Sequence, residues 1–323
     1  MSAVRNYFQE LSTQVVQGWN RFWFSPGDAY CLGAMRALIG AMALWFIVSY
    51  STDLVTWFGP HGLLTVPTVT RLTGIADSDE PVFTQSILFY VDQPAVLWSV
   101  HVVAVLAAAM CMVGLFSRVA SIVTLLMVLS YVHRAPMLTG QFEPVLTALL
   151  LYLCIGPSGR ALSIDRWLKS RNGKTAEPAP SLAANISLRL MQVHVVMFYL
   201  IFAFSKLVGE PWWNGEAVWW LMAQSESRLV DFSFLGQWNA APVFNLWTYA
   251  FIAYEFSFAV FIGNRLARPL LLAIGVPLWL SLIPITGLTS FALIMLVANA
   301  AFVPAAWWRS VADACCSRKT AAA

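Results

Sequence analysis

The sequence predicts an all-α, polytopic membrane bundle of about eight transmembrane helices, preceded by an N-terminal interfacial amphipathic helix. Three observations predict it. Of 323 residues, 59% are hydrophobic and 11% charged, whereas a soluble domain carries about 25% charged residues. The apolar residues gather into runs close to the ~20 that a helix needs to cross a hydrocarbon core of about 30 Å. The Lys and Arg residues fall mainly on one side of those runs, as the cytoplasmic bias of membrane proteins requires. The net charge of +3 forms no basic stripe, which argues against a nucleic-acid partner.

Three parts follow in order: an interfacial helix over 1–28, a transmembrane domain over 29–309 and a short cytoplasmic tail over 310–323. Between residues 4 and 23, Val4, Tyr7, Phe8, Leu11, Val15 and Trp19 recur at helical spacing, and Ser25-Pro26-Gly27 ends the segment. It lacks the separate apolar stretch and small-residue cleavage site of a secretory signal. Apolar runs then occur near 30–50, 95–116, 118–134, 142–157, 187–207, 243–263, 267–284 and 286–304. His133-Arg134-Ala135-Pro136 reads as a tight turn between the third and fourth. Pro284 and Gly287 part the last two, although the same pair also suits a kink in one long helix.

With the N-terminus inside, thirteen Lys and Arg residues lie in inner segments and three, Arg71, Arg134 and Arg228, in outer loops. Both termini are then cytoplasmic, in a bacterial inner membrane. Cys31, Cys111, Cys154, Cys315 and Cys316 fall in the inner half or beyond, which suits reduced thiols, and none has a metal-binding spacing. No metal is expected. The outer loop 51–94 is acidic, with Asp77, Asp79 and Glu80. The loop 208–242 carries Trp212, Trp213, Trp219, Trp220 and Trp238 and is expected to lie on the outer leaflet. The inner loop 158–186, with Lys174 through Pro180, reads as a flexible connector.

Ionisable groups at bilayer depth cost about 2.5–3.5 kcal/mol each on insertion scales and usually have a partner or a task. An inner layer is expected in which Arg36 pairs with Glu255 near His194, mainly as a helix-to-helix tie. An outer layer gathers His101, His133, Glu143 and Lys206. Lysine at a span end often only snorkels. Enclosed by aromatics, it becomes a candidate base, and Tyr199 and Phe202 lie on its helical face.

The stretch FYLIFAFSKLVGEPWWNGE at 198–216 resembles the signature of the HTTM (horizontally transferred transmembrane) domain, shared by vitamin K-dependent γ-carboxylases and many bacterial proteins. The matching positions are Tyr199, Ser205, Lys206, Leu207, Trp213 and Gly215. SPGDAYCLGAMRALIGAMAL at 25–44, GPSGRALSIDRW at 156–167, YEFSFAVFI at 254–262 and GLTSFALIMLVANAAFVP at 287–304 are similar to further family segments in the same order.

The resemblance implies a chemistry. In the carboxylases a lysine at the position of Lys206 deprotonates reduced vitamin K. Reaction with oxygen then yields a base that removes the γ-proton of glutamate before CO₂ is captured. It implies Lys206 as base, with His101, His133 and Glu143 as further catalytic candidates. Tyr199, Phe202, Trp213 and Trp279 become candidate contacts for reduced vitamin K or menaquinol. Trp279 stands where the carboxylases bear a histidine, and Gln141–Glu143 stand near their Asn-His pair. The chain also stops soon after its last span, so peptide carboxylation would need a protein partner supplying an extracytoplasmic domain. The expected function is a membrane protein binding a quinol or lipid-like substrate in a lysine-centred outer pocket. The alternative is a non-enzymatic assembly, immunity or transport component on the same scaffold, with peptide glutamate carboxylation a third reading.

Overall fold

Each predicted apolar run becomes a helix. The computed structural model describes residues 2–73, 86–91, 93–171, 177–232, 234 and 241–320. Asp77, Asp79, Glu80, Lys174 and Trp238 lie outside the described residues, as do the side chains of Cys315 and Cys316. The described chain is all-helical apart from turns, loops and one isolated backbone bridge between Gly27 and Ser181. It divides into two units, residues 1–190 with 303–323, and residues 191–302.

The first unit opens with α1 (Ser2–Phe24) and α2 (Ala29–Ser49). Short helices α3 (Leu54–Phe58) and α4 (Val66–Leu72) lead to α5 (Pro94–Val113), α6 (Ser117–Arg134), α7 (Phe142–Ile155) and α8 (Ile164–Arg171). The start of α9 (Leu182–Val208) and the late helix α15 (Ala305–Thr320) complete it. Along α1, Val4, Tyr7, Phe8, Leu11, Val15 and Trp19 are all exposed, so its apolar stripe lacks a protein partner among the described residues. Helix α2 is apolar on every side, and such a helix belongs in a protein interior. It packs on α5 and α7, and Leu32, Met35, Ile39 and Ile47 are fully buried.

Asp165, near the start of α8, ties that helix to the turn between α5 and α6. Its carboxylate accepts the backbone N–H groups of Phe116 and Ser117, each at 2.9 Å, and the Ser117 hydroxyl at 2.8 Å. Partial burial pushes this carboxyl up, but the three hydrogen bonds and nearby Lys169 outweigh burial and hold it below its ordinary value. A depressed carboxyl stabilises the fold above its unfolded value, about 3.9, and loses that contribution as pH falls through the folded value. Thermal melts below pH 4 should therefore fall more steeply for the wild type than for Asp165→Asn, which should already be less stable at pH 7. Equal slopes would refute the assignment.

The second unit holds the rest of α9, then α10 (Glu210–Trp213), α11 (Ala217–Ala223), α12 (Ala241–Phe261), α13 (Ala267–Thr286) and α14 (Thr289–Asn299). Gly287, at φ +69°, caps α13 in the left-handed region and separates it from α14. The last two apolar runs are therefore distinct helices. Pro284 lies inside α13, and its carbonyl accepts the N–H groups of Leu229 and Val230 at 3.1 and 3.2 Å.

Among the described residues four helices, α2, α5, α9 and α13, are long and apolar enough to cross a membrane, or up to five if α14 and the start of α15 count as one broken span, which is compatible with a multi-pass membrane protein. Three of the other predicted runs fall short for identifiable reasons. Helices α7 and α14 have 14 and 11 residues. Polar and charged side chains dilute the apolar content of α6.

Candidate functional site

The charged centre of the second unit is built from α9 and α12. Along α12, Phe244, Thr248, Phe251, Tyr254, Glu255 and Phe258 are buried, the stripe expected of a helix that packs one face. Glu255 is the acid on that stripe. Lys206 stands in the last turn of α9, where a cation complements the helix dipole. Its Nζ donates to both carboxylate oxygens of Glu255, at 2.6 and 2.8 Å. Glu255 is 1% exposed and the Lys206 side chain 16%. The ring centroids of Phe202 and Trp212 lie 5.5 and 5.0 Å from Nζ, within the range of cation–π attraction.

A polar aromatic network adjoins the pair. The indole N–H of Trp279 donates to the Tyr199 hydroxyl at 2.9 Å, and that hydroxyl donates to Asn299 Oδ1 at 2.9 Å. Asn299 Nδ2 in turn donates to the Tyr254 hydroxyl at 3.4 Å. The Tyr199 ring lies against Phe258 at 4.1 Å, tilted by 32°, while Trp279 meets Phe291 edge-on at 5.4 Å. Gly275 gives Tyr254 its space, because a Cβ there would overlap the Tyr254 hydroxyl. Tyr199 is 0% and Trp279 2% exposed, so both are interior members of this network.

The tryptophan-rich segment folds back along α12. The Val218 N–H donates to Thr248 Oγ1 at 3.2 Å, and Tyr249 donates to the Trp213 carbonyl at 2.6 Å. Val218 and Met222 form a core with Phe244, Phe251 and Ile285, against which Trp212 packs. Residues 206–222 thus follow the N-terminal half of α12. Glu255 stands about 21 Å from the start of α12, at 1.5 Å per residue, yet it meets the last turn of α9. The last turn of α9 thus lies beside the second half of α12, and α10 and α11 pack beside its first half. Two of the carbonyls freed where α9 ends are partnered: Gly209 N–H donates to Lys206 O at 3.1 Å, and the Trp213 indole donates to Leu207 O. Trp213 is otherwise 62% exposed.

The expected tie between Arg36 and Glu255 is replaced on both sides. Glu255 pairs with Lys206. Arg36, fully buried in the first unit, donates to the carbonyls of Cys111 at 2.6 Å, Met112 at 2.7 Å and Ser158 at 3.3 Å, and to that of Leu162. Two of those carbonyls belong to the last turn of α5, where helix ends leave acceptors unpartnered. His194, the expected third member, sets its ring edge-on to Phe198 at 4.7 Å.

The remaining catalytic candidates have local partners within the first unit. His101 is buried between the Ser51 hydroxyl, 2.9 Å from Nε2, and the Tyr131 hydroxyl, 2.7 Å from Nδ1. Glu143 accepts the Gly140 N–H at 2.7 Å at the start of α7. His133 is half-buried in the last turn of α6. Arg134, expected in an outer loop, is instead 1% exposed, donates to the Leu64 carbonyl and lies against the rings of Phe58 and Phe89.

Glu255 as the partner of Lys206 was missed from sequence, as were Trp212, Tyr254 and Asn299. A signal existed for Asn299, a lone amide in the apolar run LIMLVANAAF. No known protein family, curated protein or solved structure matches this chain.

Proposed function

We propose that this is a multi-pass membrane protein of about eight spans, with cytoplasmic termini and α1 lying in the membrane interface. Its second unit would use Lys206 and Glu255 to move a proton at a quinol-like, membrane-soluble substrate. The observation that carries this reading is the bidentate Lys206–Glu255 pair at a helix break. Helix breaks at membrane depth are tolerated where the backbone is protein-lined or faces a cavity, and buried ionisable residues there are functional candidates by default. The resemblance of 198–216 to the HTTM signature points the same way, and the bacterial inner membrane is the matching location.

The residues fit an aromatic substrate. Phe202 and Trp212 offer ring faces or edges near the amine. A bound quinol supplies an acidic hydroxyl. Lys206 passes one proton to Glu255 along a hydrogen bond already formed, without separating charge through hydrocarbon. Its neutral amine then accepts the hydroxyl proton, and Trp212 and Phe202 stabilise the ammonium that results.

A second reading draws on the same pair. Both oxygens of Glu255 are satisfied by Lys206, as in a packing pin of a non-enzymatic assembly, immunity or transport protein. Peptide glutamate carboxylation, the third reading, needs a partner domain as well.

Titrating the purified protein with menaquinol separates them. Lys206→Met with Glu255→Leu removes both charges together, so that neither is left unpaired. The wild type should bind menaquinol saturably and shift its ultraviolet spectrum toward the quinol anion, and the double variant should lose the shift. Equal spectra would leave the packing pin.

A further inference from the structure

The first unit carries a second feature, independent of the proton-handling reading. Beside the start of α6, a cavity of about 420 Å³ is lined by Arg118, Arg160, Arg166 and Lys169, with Asp165 and Glu177 as its acids. The four cations come from three places in the sequence: the first turn of α6, the turn after α7, and α8. Asp165 is already committed to Ser117 and Phe116, which leaves the cations in excess. Arg118, Arg160 and Lys169 are exposed, so their charges are open to a ligand.

Next to this cavity lies a space of different character. A groove of about 340 Å³ between α5 and α6 is lined wholly by apolar residues, among them Val103, Leu106, Met110, Phe116, Val119 and Val123. The two spaces adjoin at Phe116–Ser117. Phe116 lines the groove, and its backbone N–H is bonded to Asp165, which lines the cavity. From Met110 to Val103 the groove runs about 10 Å along α5, at 1.5 Å per residue, away from the basic end. Leu106 and Val119 are 56% and 63% exposed, so its walls lack a protein partner.

We infer that the cavity and groove form one binding site for an anionic phospholipid, with the phosphate among Arg118, Arg160, Arg166 and Lys169 and an acyl chain between α5 and α6. A basic cavity at the end of membrane helices is the arrangement that recognises anionic headgroups. The adjoining apolar groove distinguishes a lipid from a free anion. Neither part accounts for the other alone: a merely solvated basic face has no need of the groove, and a neutral lipid has no need of four cations.

The test uses the full-length protein, delipidated in neutral detergent and examined by native mass spectrometry. The probes are dioleoyl phosphatidylglycerol, dioleoyl phosphatidylcholine and inorganic phosphate. Phosphatidylglycerol should bind about ten-fold or more tighter than phosphatidylcholine, in line with the attraction of several basic side chains for an anionic headgroup. The variant R118Q/R160Q/K169Q changes exposed side chains only, and it should lose that preference while keeping its melting temperature. The variant V119W, on the exposed rim of the groove, should weaken phosphatidylglycerol binding without affecting inorganic phosphate. Equal binding of the two lipids would overturn the proposal, as would an unchanged preference in the triple variant. Inorganic phosphate competing as strongly as the lipid would overturn the groove's part and reduce the site to one for free anions.

Discussion

Lys206→Met is expected to destabilise the protein by about 3 kcal/mol or more, because it leaves the Glu255 carboxylate buried without its partner. Breaking one side of a buried ion pair costs about 3–5 kcal/mol, whereas replacing both sides with apolar residues of similar volume is often neutral. The limited exposure of Lys206, 16%, reduces the penalty only modestly. Glu255→Leu alone should be similarly damaging, since it strands the ammonium beside Phe202 and Trp212. The combined K206M/E255L variant should recover most of the loss. The measurement is reversible unfolding in mixed micelles for all four forms, read as a double-mutant cycle. Additive losses would mean that the pair does not couple and that Lys206 is held by solvent and rings alone.

Arg36→Met should be the most damaging single change in the first unit, at about 4 kcal/mol or more. Its guanidinium serves four carbonyls, and each buried acceptor left without a donor costs about 1–3 kcal/mol. Arg36→Lys should restore only part of this, because one ammonium does not reproduce the planar fan of five donors. Loss of folded protein for methionine and partial recovery for lysine, followed by size-exclusion profile and melting temperature, would fit. A near-wild-type Arg36→Met would show that the carbonyls find water or other donors.

These two arginine and lysine sites show how far the sequence reading reached. The positions of the apolar helices were legible because burial in lipid or protein imposes long apolar runs. Helix α9 and the placing of Phe202 beside Lys206 followed from i, i+4 spacing alone. Glu255 was recognised as costly, but its partner was not. Depth was counted as if every span ran the full thickness, which put Glu255 with Arg36 and Lys206 with His101. What the count lacked was the offset between α9 and α12, with α10 and α11 packed beside the first half of α12. That is a tertiary feature set by contacts such as Val218 N–H to Thr248. Arg36 was missed for a different reason: its acceptors are backbone carbonyls, which leave no mark in the sequence.

The most direct test of the central claim is the protonation of Glu255 when a quinol binds. Infrared difference spectra, taken as menaquinol is added to the purified protein, report carboxylate and protonated carboxyl separately. If Lys206 hands its proton to Glu255, a protonated-carboxyl band should grow with menaquinol in the wild type and be missing in Glu255→Gln. Bound menaquinol with no such band, or the same band in Glu255→Gln, would contradict the proton-handling role and leave Lys206–Glu255 as a structural tie.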